Sequence, residues 1–178
     1  MADSRAGKRY ARALFSLATD DQVVDRVLED LRGLRALIAQ SEDLRRFVQH
    51  PALPDEKQKD VMKAMFGGRV APLTERFLQF LVDRRRLALL VDICEVYEDL
   101  YCVARNIQRI SIEYSHSLRD DQVRAIEAKM GARYGKDIET TTVHEASLLG
   151  GFRVRVGDVV HDFSVRGKLD GLRVALTT

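Results

Sequence analysis

No apolar run in this 178-residue chain approaches the ~20 residues that cross a bilayer. Its first residues, MADSRAGKRY, lack the apolar core of a secretory signal and the long acid-poor Arg/Ser leader of an organelle precursor. The expected setting is therefore a bacterial cytosol or a mature organellar protein. An excess of one charge is missing too. Net charge is +2, with 18 basic against 17 acidic residues over 1–105 and 11 against 10 over 106–178. A nucleic-acid binder concentrates a basic excess on one face, and the overall balance gives none. Cysteine is scarce: Cys94 and Cys102 lie in a helical pattern that spaces them ~12 Å along the axis, beyond disulfide reach. They are expected as buried small hydrophobes in a reducing compartment. His50, His116, His144 and His161 fall in separate segments with no i,i+4 pairing and no Cys partner, so they offer no convergent ligand set. Neither G-x-x-x-x-G-K-[ST] nor G-x-G-x-x-G occurs, and nucleotide binding has no support. No cofactor is expected. Asp20-Asp21 and Asp120-Asp121 sit where helices start and acids favour the dipole, a simpler role than paired catalysis.

What is present is 46% hydrophobic and 31% charged residues, enough for a core. Helical spacing runs through residues 4–105. Ala6, Tyr10, Ala13, Leu14 and Leu17 form a first stripe with several small members, which lets a second helix approach closely. Val24, Val27, Leu28, Leu31, Leu34 and Ile38 mark a second helix. Ser41 is placed to cap a short third one, which stops before His50-Pro51. A fourth starts at Pro54-Asp55 and ends at Gly67-Gly68. Pro72 suits the first turn of a fifth, carrying Leu73, Phe77, Phe80 and Leu81. Arg84, Arg85 and Arg86 follow, favourable to its dipole. A sixth runs from Leu87 to about Arg105.

Near Asn106 the period changes. Ile110, Ile112 and Tyr114 alternate with polar residues as a strand does. Ser117-x-x-Asp120 resembles a capping box opening a helix with Val123, Ile126 and Met130. Ile138–Glu145 is Thr-rich and polar, an edge or exposed strand. After Gly150 and Gly151, Phe152, Val154 and Val156 alternate with Arg153 and Arg155. Gly157-Asp158 fits a type II′ hairpin turn, and Val159-Val160 begin the return strand. Asp162 or Ser164 is placed to cap a last helix with Val165, Leu169, Leu172 and Leu176.

The ordered set Ser147–Gly151 (SLLGG), Val156–Asp158 (VGD) and Asp162–Leu169 (D-x-S-V-R-x-K-L) resembles the C-terminal signature of one family. It is the delta subunit of bacterial and chloroplast ATP synthase, the oligomycin-sensitivity-conferring protein of mitochondria. Gly150, Gly151, Gly157, Asp158, Asp162, Ser164, Lys168 and Leu169 carry this resemblance. Arg9–Leu14 is similar to the family's R-Y-A-x-A-L opening, Pro51–Lys57 to its P-x-x-x-x-x-K segment, and Phe77–Leu81 with Arg86-Leu87 to its F-L-x-x-L…R-L segment. Departures are Glu145-Ala146 for Asp-Pro, Phe163 for Gly and Arg76 for Asn. Phe163 implies a different hairpin-to-helix corner within the same fold.

The expected fold is mainly α: an N-terminal six-helix bundle, residues 1–105, followed by a small α+β (βαββα) domain, residues 106–178. The resemblance implies a non-catalytic stator subunit on the cytoplasmic face of the bacterial inner membrane, tied to the membrane only through its complex. It implies that the bundle captures alpha-subunit N-terminal helices beside its first and fifth helices, with Arg9, Tyr10, Ala13, Leu14, Leu17, Leu73, Phe77 and Phe80 lining the groove. The second domain is implied to hold the C-terminal region of the b subunit, and the beta subunit is a further candidate contact. For any single one of these apolar residues, core packing is the favoured reading of the sequence, and the resemblance is what turns the set towards a groove. An RNA-binding βαββα unit is the alternative, and Tyr114 and Phe152 are its only available base-stacking residues.

Overall fold

Helical periodicity in the first hundred residues becomes six α-helices in the computed structural model, which describes residues 2–49, 55–169 and 173. They are α1 (Ala2–Asp20), α2 (Val24–Gln40), α3 (Glu42–Gln49), α4 (Asp55–Phe66), α5 (Pro72–Asp83) and α6 (Leu90–Ala104). A 3-10 turn, Leu87–Leu89, precedes α6, where the spacing predicts one unbroken helix. His50, Pro51–Pro54, Leu172 and Leu176 lie outside the described residues.

Each helix contributes its apolar stripe to one core: Ala11, Leu14 and Ala18 from α1, Leu31 and Leu34 from α2, Val48 from α3, Phe66 from α4, Leu81 from α5, and Ile93 and Tyr97 from α6. The small residues of α1 admit a close neighbour, since a Cβ on Gly7 would stand 3.3 Å from the Cβ of Asp92. Ser41 caps α3 through its Oγ, which accepts the Leu44 N–H at 3.3 Å. Pro72 opens α5 after Ala71, a residue with no side-chain acceptor. The buried carboxylate of Asp30 in α2 takes over, accepting the Ala71 N–H at 2.7 Å and the Thr74 hydroxyl at 2.8 Å. The chain leaves α5 with Arg85 in the left-handed region (φ 53°), while the Arg86 and Arg85 N–H groups donate to Leu81 O and Val82 O.

Residues 1–101 and 102–178 form two compact units. The division lies in the last turn of α6, before the 105/106 boundary expected from the sequence. Buried Cys102 already belongs with the sheet, its Sγ 3.9 Å from an Oε of Glu139. Both cysteines are buried thiols outside any disulfide, and burial pushes the Cys94 thiol up to about 12.

The second unit holds β1 (Ile107–Tyr114), α7 (Asp120–Tyr134), β2 (Asp137–His144), β3 (Phe152–Val156) and β4 (Val159–Asp162), with residues 165–169 helical. The sheet order is β2-β1-β3-β4; β1 and β2 are parallel across α7, and the other pairs are antiparallel. This corrects the βαββα expectation: among the described residues four strands are present, because the Thr-rich strand and β3 flank β1 and the return strand of the hairpin adds β4 outside β3. Ile110, Ile112, Val154 and Val156 pack on Ile126 and Met130 of α7. The helix α7 opens at Arg119, and Ser117 does not cap it. Leu118 is drawn against the core, and the Arg119 N–H donates to the Gln122 side chain at 3.1 Å. Gly157 alone of the hairpin pair has positive φ (57°), as a II′ turn requires.

Asp30→Ala would strand the Ala71 N–H and the Thr74 hydroxyl in the core, so a loss of about 2 kcal/mol is expected. Urea unfolding followed by circular dichroism checks it, and an unchanged midpoint would show that Asp30 does not anchor α5.

Candidate functional site

The stripe read from α1 and α5 divides into two classes. Leu14 (0% exposed) and Phe77 (8%) are core, not groove, because they fall on the inward arcs with Ala11 and Ala18 on α1 and Thr74 and Leu81 on α5. Tyr10 and Leu73 are half-buried at the core's margin. Ala13 is exposed, as are Leu17 (52%) and Phe80 (39%). Tyr10 and Phe80 meet edge to face, with centroids 6.0 Å apart and planes at 72°, so α1 and α5 lie side by side there. The guanidinium carbon of Arg9 lies 5.7 Å from the Tyr10 centroid, and that of Arg84 lies 5.4 Å from the Phe80 centroid. The resulting feature is an aromatic pair bridging two helices, flanked by a cation at each end and continued along α1 by Ala13 and Leu17. In the sequence the run Arg84–Arg86 suits either a helix end or a partner contact, and the four-residue spacing from Phe80 is the signal that places Arg84 over that ring.

The signature residues of the second unit build a corner. A Cβ on Gly151 (φ 79°) would lie 2.6 Å from the Phe163 carbonyl oxygen, and one on Gly150 would lie 3.0 Å from a methyl of Val165. Ser164 is fully buried, and its Oγ accepts the Gly167 N–H at 3.0 Å, making it the helix cap. Asp162 accepts the Ser164 N–H at 2.8 Å and pairs with Arg153 at 3.2 Å. These bonds, the Ser164 hydrogen bonds before the Arg153 charge, hold the Asp162 carboxyl below the usual carboxylate range. Gly157, Asp158, Lys168 and Leu169 are exposed. Phe163 keeps negative φ and lays its ring 5.2 Å from Phe152, so the departure from Gly adds an apolar wall. That wall closes a cleft of about 310 Å3 lined by Leu118, Ile126, Met130, Phe152 and Val154. The cleft escaped the sequence reading because Leu118 and Phe163 stand outside any regular period.

Tyr114 and Phe152 are cross-strand partners on the α7 side of the sheet, and Phe152 packs on its core. On the opposite face, Arg153 and Arg155 are both paired with Glu113. The stacking platform that RNA binding requires is therefore unsupported. His116 is exposed on the bend after β1, His144 contacts Ser115 O at 2.8 Å, and His161 contacts the Tyr134 hydroxyl at 3.2 Å. Among the described residues no group of three or more His, Cys, Asp or Glu is arranged to hold a metal, and no helix is long and apolar enough to cross a membrane.

Six helices around one core, followed by a mixed four-stranded sheet with its crossover helix, define a two-unit chain whose candidate sites are contact surfaces. The chain belongs to the ATP synthase delta (OSCP) subunit family, whose model matches residues 6–176. It is 30% identical to ATP synthase subunit delta of Syntrophomonas wolfei over 99% of this chain and 97% of the relative. Against the same subunit of Synechococcus elongatus, identity is 36% over 94% of this chain and 93% of the relative. Among solved structures, a chain in the Toxoplasma gondii mitochondrial ATP synthase hexamer superposes with TM-score 0.77 and 27% identity, covering 97% of both chains. The protein is thus a non-catalytic stator subunit of an F-type ATP synthase.

Asp162, with its lowered folded value, contributes stability that is present above the unfolded carboxylate range and lost as pH falls through the folded value. Asp162→Asn should therefore melt lower than the parent at neutral pH and show a flatter decline in acid. Melting curves across that range check this, and parallel declines would remove Asp162 from the pH response.

Proposed function

We propose that the helical half grips the N-terminal helices of the alpha subunits along the α1/α5 face, and that the sheet-containing half holds the C-terminal region of the b subunit. The chain then joins the catalytic head to the peripheral stalk, sits at the membrane only through the complex, and resists the torque of the rotor. Proton flow stays coupled to ATP synthesis because the head cannot turn with the shaft. The observation that carries this reading is the exposure of Phe80 beside the Tyr10 ring and of Leu17 two turns further along α1, on helices whose other large apolar residues are mostly buried. An amphipathic helix laid in that furrow would cover them with apolar anchors one turn apart. The cleft beside Phe163 offers the second unit a comparable pocket for partner side chains.

A joint under load needs slow dissociation, which apolar burial at about 25 cal/mol per Å2 provides better than exposed ion pairs worth ~0–1 kcal/mol. Leu17→Asp and Phe80→Asp are expected to weaken binding of an alpha-subunit N-terminal peptide by at least tenfold, leaving the melting temperature nearly unchanged. Leu14→Ala should instead cost about 2–5 kcal/mol of stability, as a core cavity does. Calorimetric titration with melting controls tests both; full affinity in the two Asp variants would refute the furrow.

A further inference from the structure

The apolar strip of α1 and α5 is bordered by cations on both sides. On α1, Arg9 lies beside Tyr10 at the edge of the strip, Lys8 and Arg12 are exposed on the far side of the helix, and no acidic residue occurs between Ser4 and Thr19. On α5, Arg76 is exposed one turn before Phe80, and Arg84 follows one turn after it. The acidic side chains of α5 are engaged: Asp83 pairs with Lys59 at 2.5 Å, and Glu75 accepts from Gln79 at 3.5 Å. A chain of net charge +2 thus sets three arginines, Arg9, Arg76 and Arg84, along one exposed apolar strip. The contacts of the Arg9 and Arg84 guanidiniums with the Tyr10 and Phe80 rings hold both cations beside the apolar strip, where a carboxylate on a bound helix would meet them.

Resting on the reading that this face captures the alpha-subunit N-terminal helix, we propose that it selects a helix whose apolar anchors are flanked by carboxylates, with Arg9, Arg76 and Arg84 as the reading residues. A carboxylate fits a guanidinium fork bidentately, and the anchors fill the strip at Ala13, Leu17 and Phe80. Lipid headgroups and nucleic acid supply anions too, but neither supplies apolar groups at one-turn spacing to cover Leu17 and Phe80 together. The apolar strip therefore decides for an acidic amphipathic helix.

The test uses the full chain and two peptides: the synthase's own alpha-subunit N-terminal segment, and the same segment with each Asp and Glu replaced by its amide. The acidic peptide is expected to bind about tenfold tighter at low salt, and the preference should vanish near 1 M salt, where screening reaches ~3 Å. Arg76→Gln with Arg84→Gln should cut the preference at least about threefold, Arg9 supplying the remainder, with the melting curve nearly unchanged. Equal binding of both peptides overturns the charge selection and leaves the furrow standing. Binding of neither peptide overturns the furrow, and the charge selection with it. Tighter binding of poly(U), or of vesicles of equal parts phosphatidylcholine and phosphatidylglycerol, released by the same double substitution, overturns the choice of a peptide partner.

Discussion

Two consecutive residues of α6 fix the helical unit upon α2, and the exposed face of α1 depends on them. Tyr97 is fully buried, its hydroxyl donating to Val24 O at 3.2 Å at the start of α2, and its ring takes the edge of Phe15 from α1 at 5.3 Å. Burial raises its phenol above the usual tyrosine range. Glu98, beside it, is buried as a carboxylate between Arg32 at 2.6 Å and Arg35 at 2.9 Å. A buried charge costs several kcal/mol without such partners, so this position admits one register of α6 on α2. Tyr101, one turn on, repeats the clasp with Asp25 at 2.8 Å. With α1 pinned through Phe15, its orientation is set, and so is which of its apolar residues face water.

That orientation explains why Leu17 stays in water. The inward arc of α1 is filled by Gly7, Ala11, Leu14 and Ala18, small enough for close packing against α6. Tyr10 and Leu17 fall at the margin of that arc, where the neighbouring helix is α5 and the side chain meeting Tyr10 is Phe80. Leaving Leu17 half in water forgoes the stability its burial would give. The second unit handles its exposed apolar groups otherwise: glycine at 151 brings backbone against backbone, and Phe163 rests on Phe152 beside a cleft.

Much of the fold was legible because it follows from local spacing. The six helices, the Pro72 start, the Ser41 cap, the edge position of the Thr-rich strand and the Gly157 turn each rest on a period or on one residue's backbone preference. The legibility ended where a choice depended on chain segments far apart. Ser117 had the chemistry of a cap, but Leu118 seeks the core and carries the start of α7 to Asp120. The strand order was not legible either, because the Thr-rich segment joins β1 by a parallel pairing made across α7 that no local period announces.

The amino-acid order by itself determined which residues share a helical or strand face, where turns need glycine, and which family the signature resembles, since all of these depend on neighbours within a few positions. Tertiary structure alone decided that Leu14 and Phe77 are sealed while Leu17 and Phe80 stay in water, that Asp30 anchors a helix forty residues on, and that Arg84 lies over Phe80. The reason is geometric: a helix's apolar arc is wider than the area one neighbour covers, so the packing of α5 and α6 on α1 divides that arc into core and contact surface.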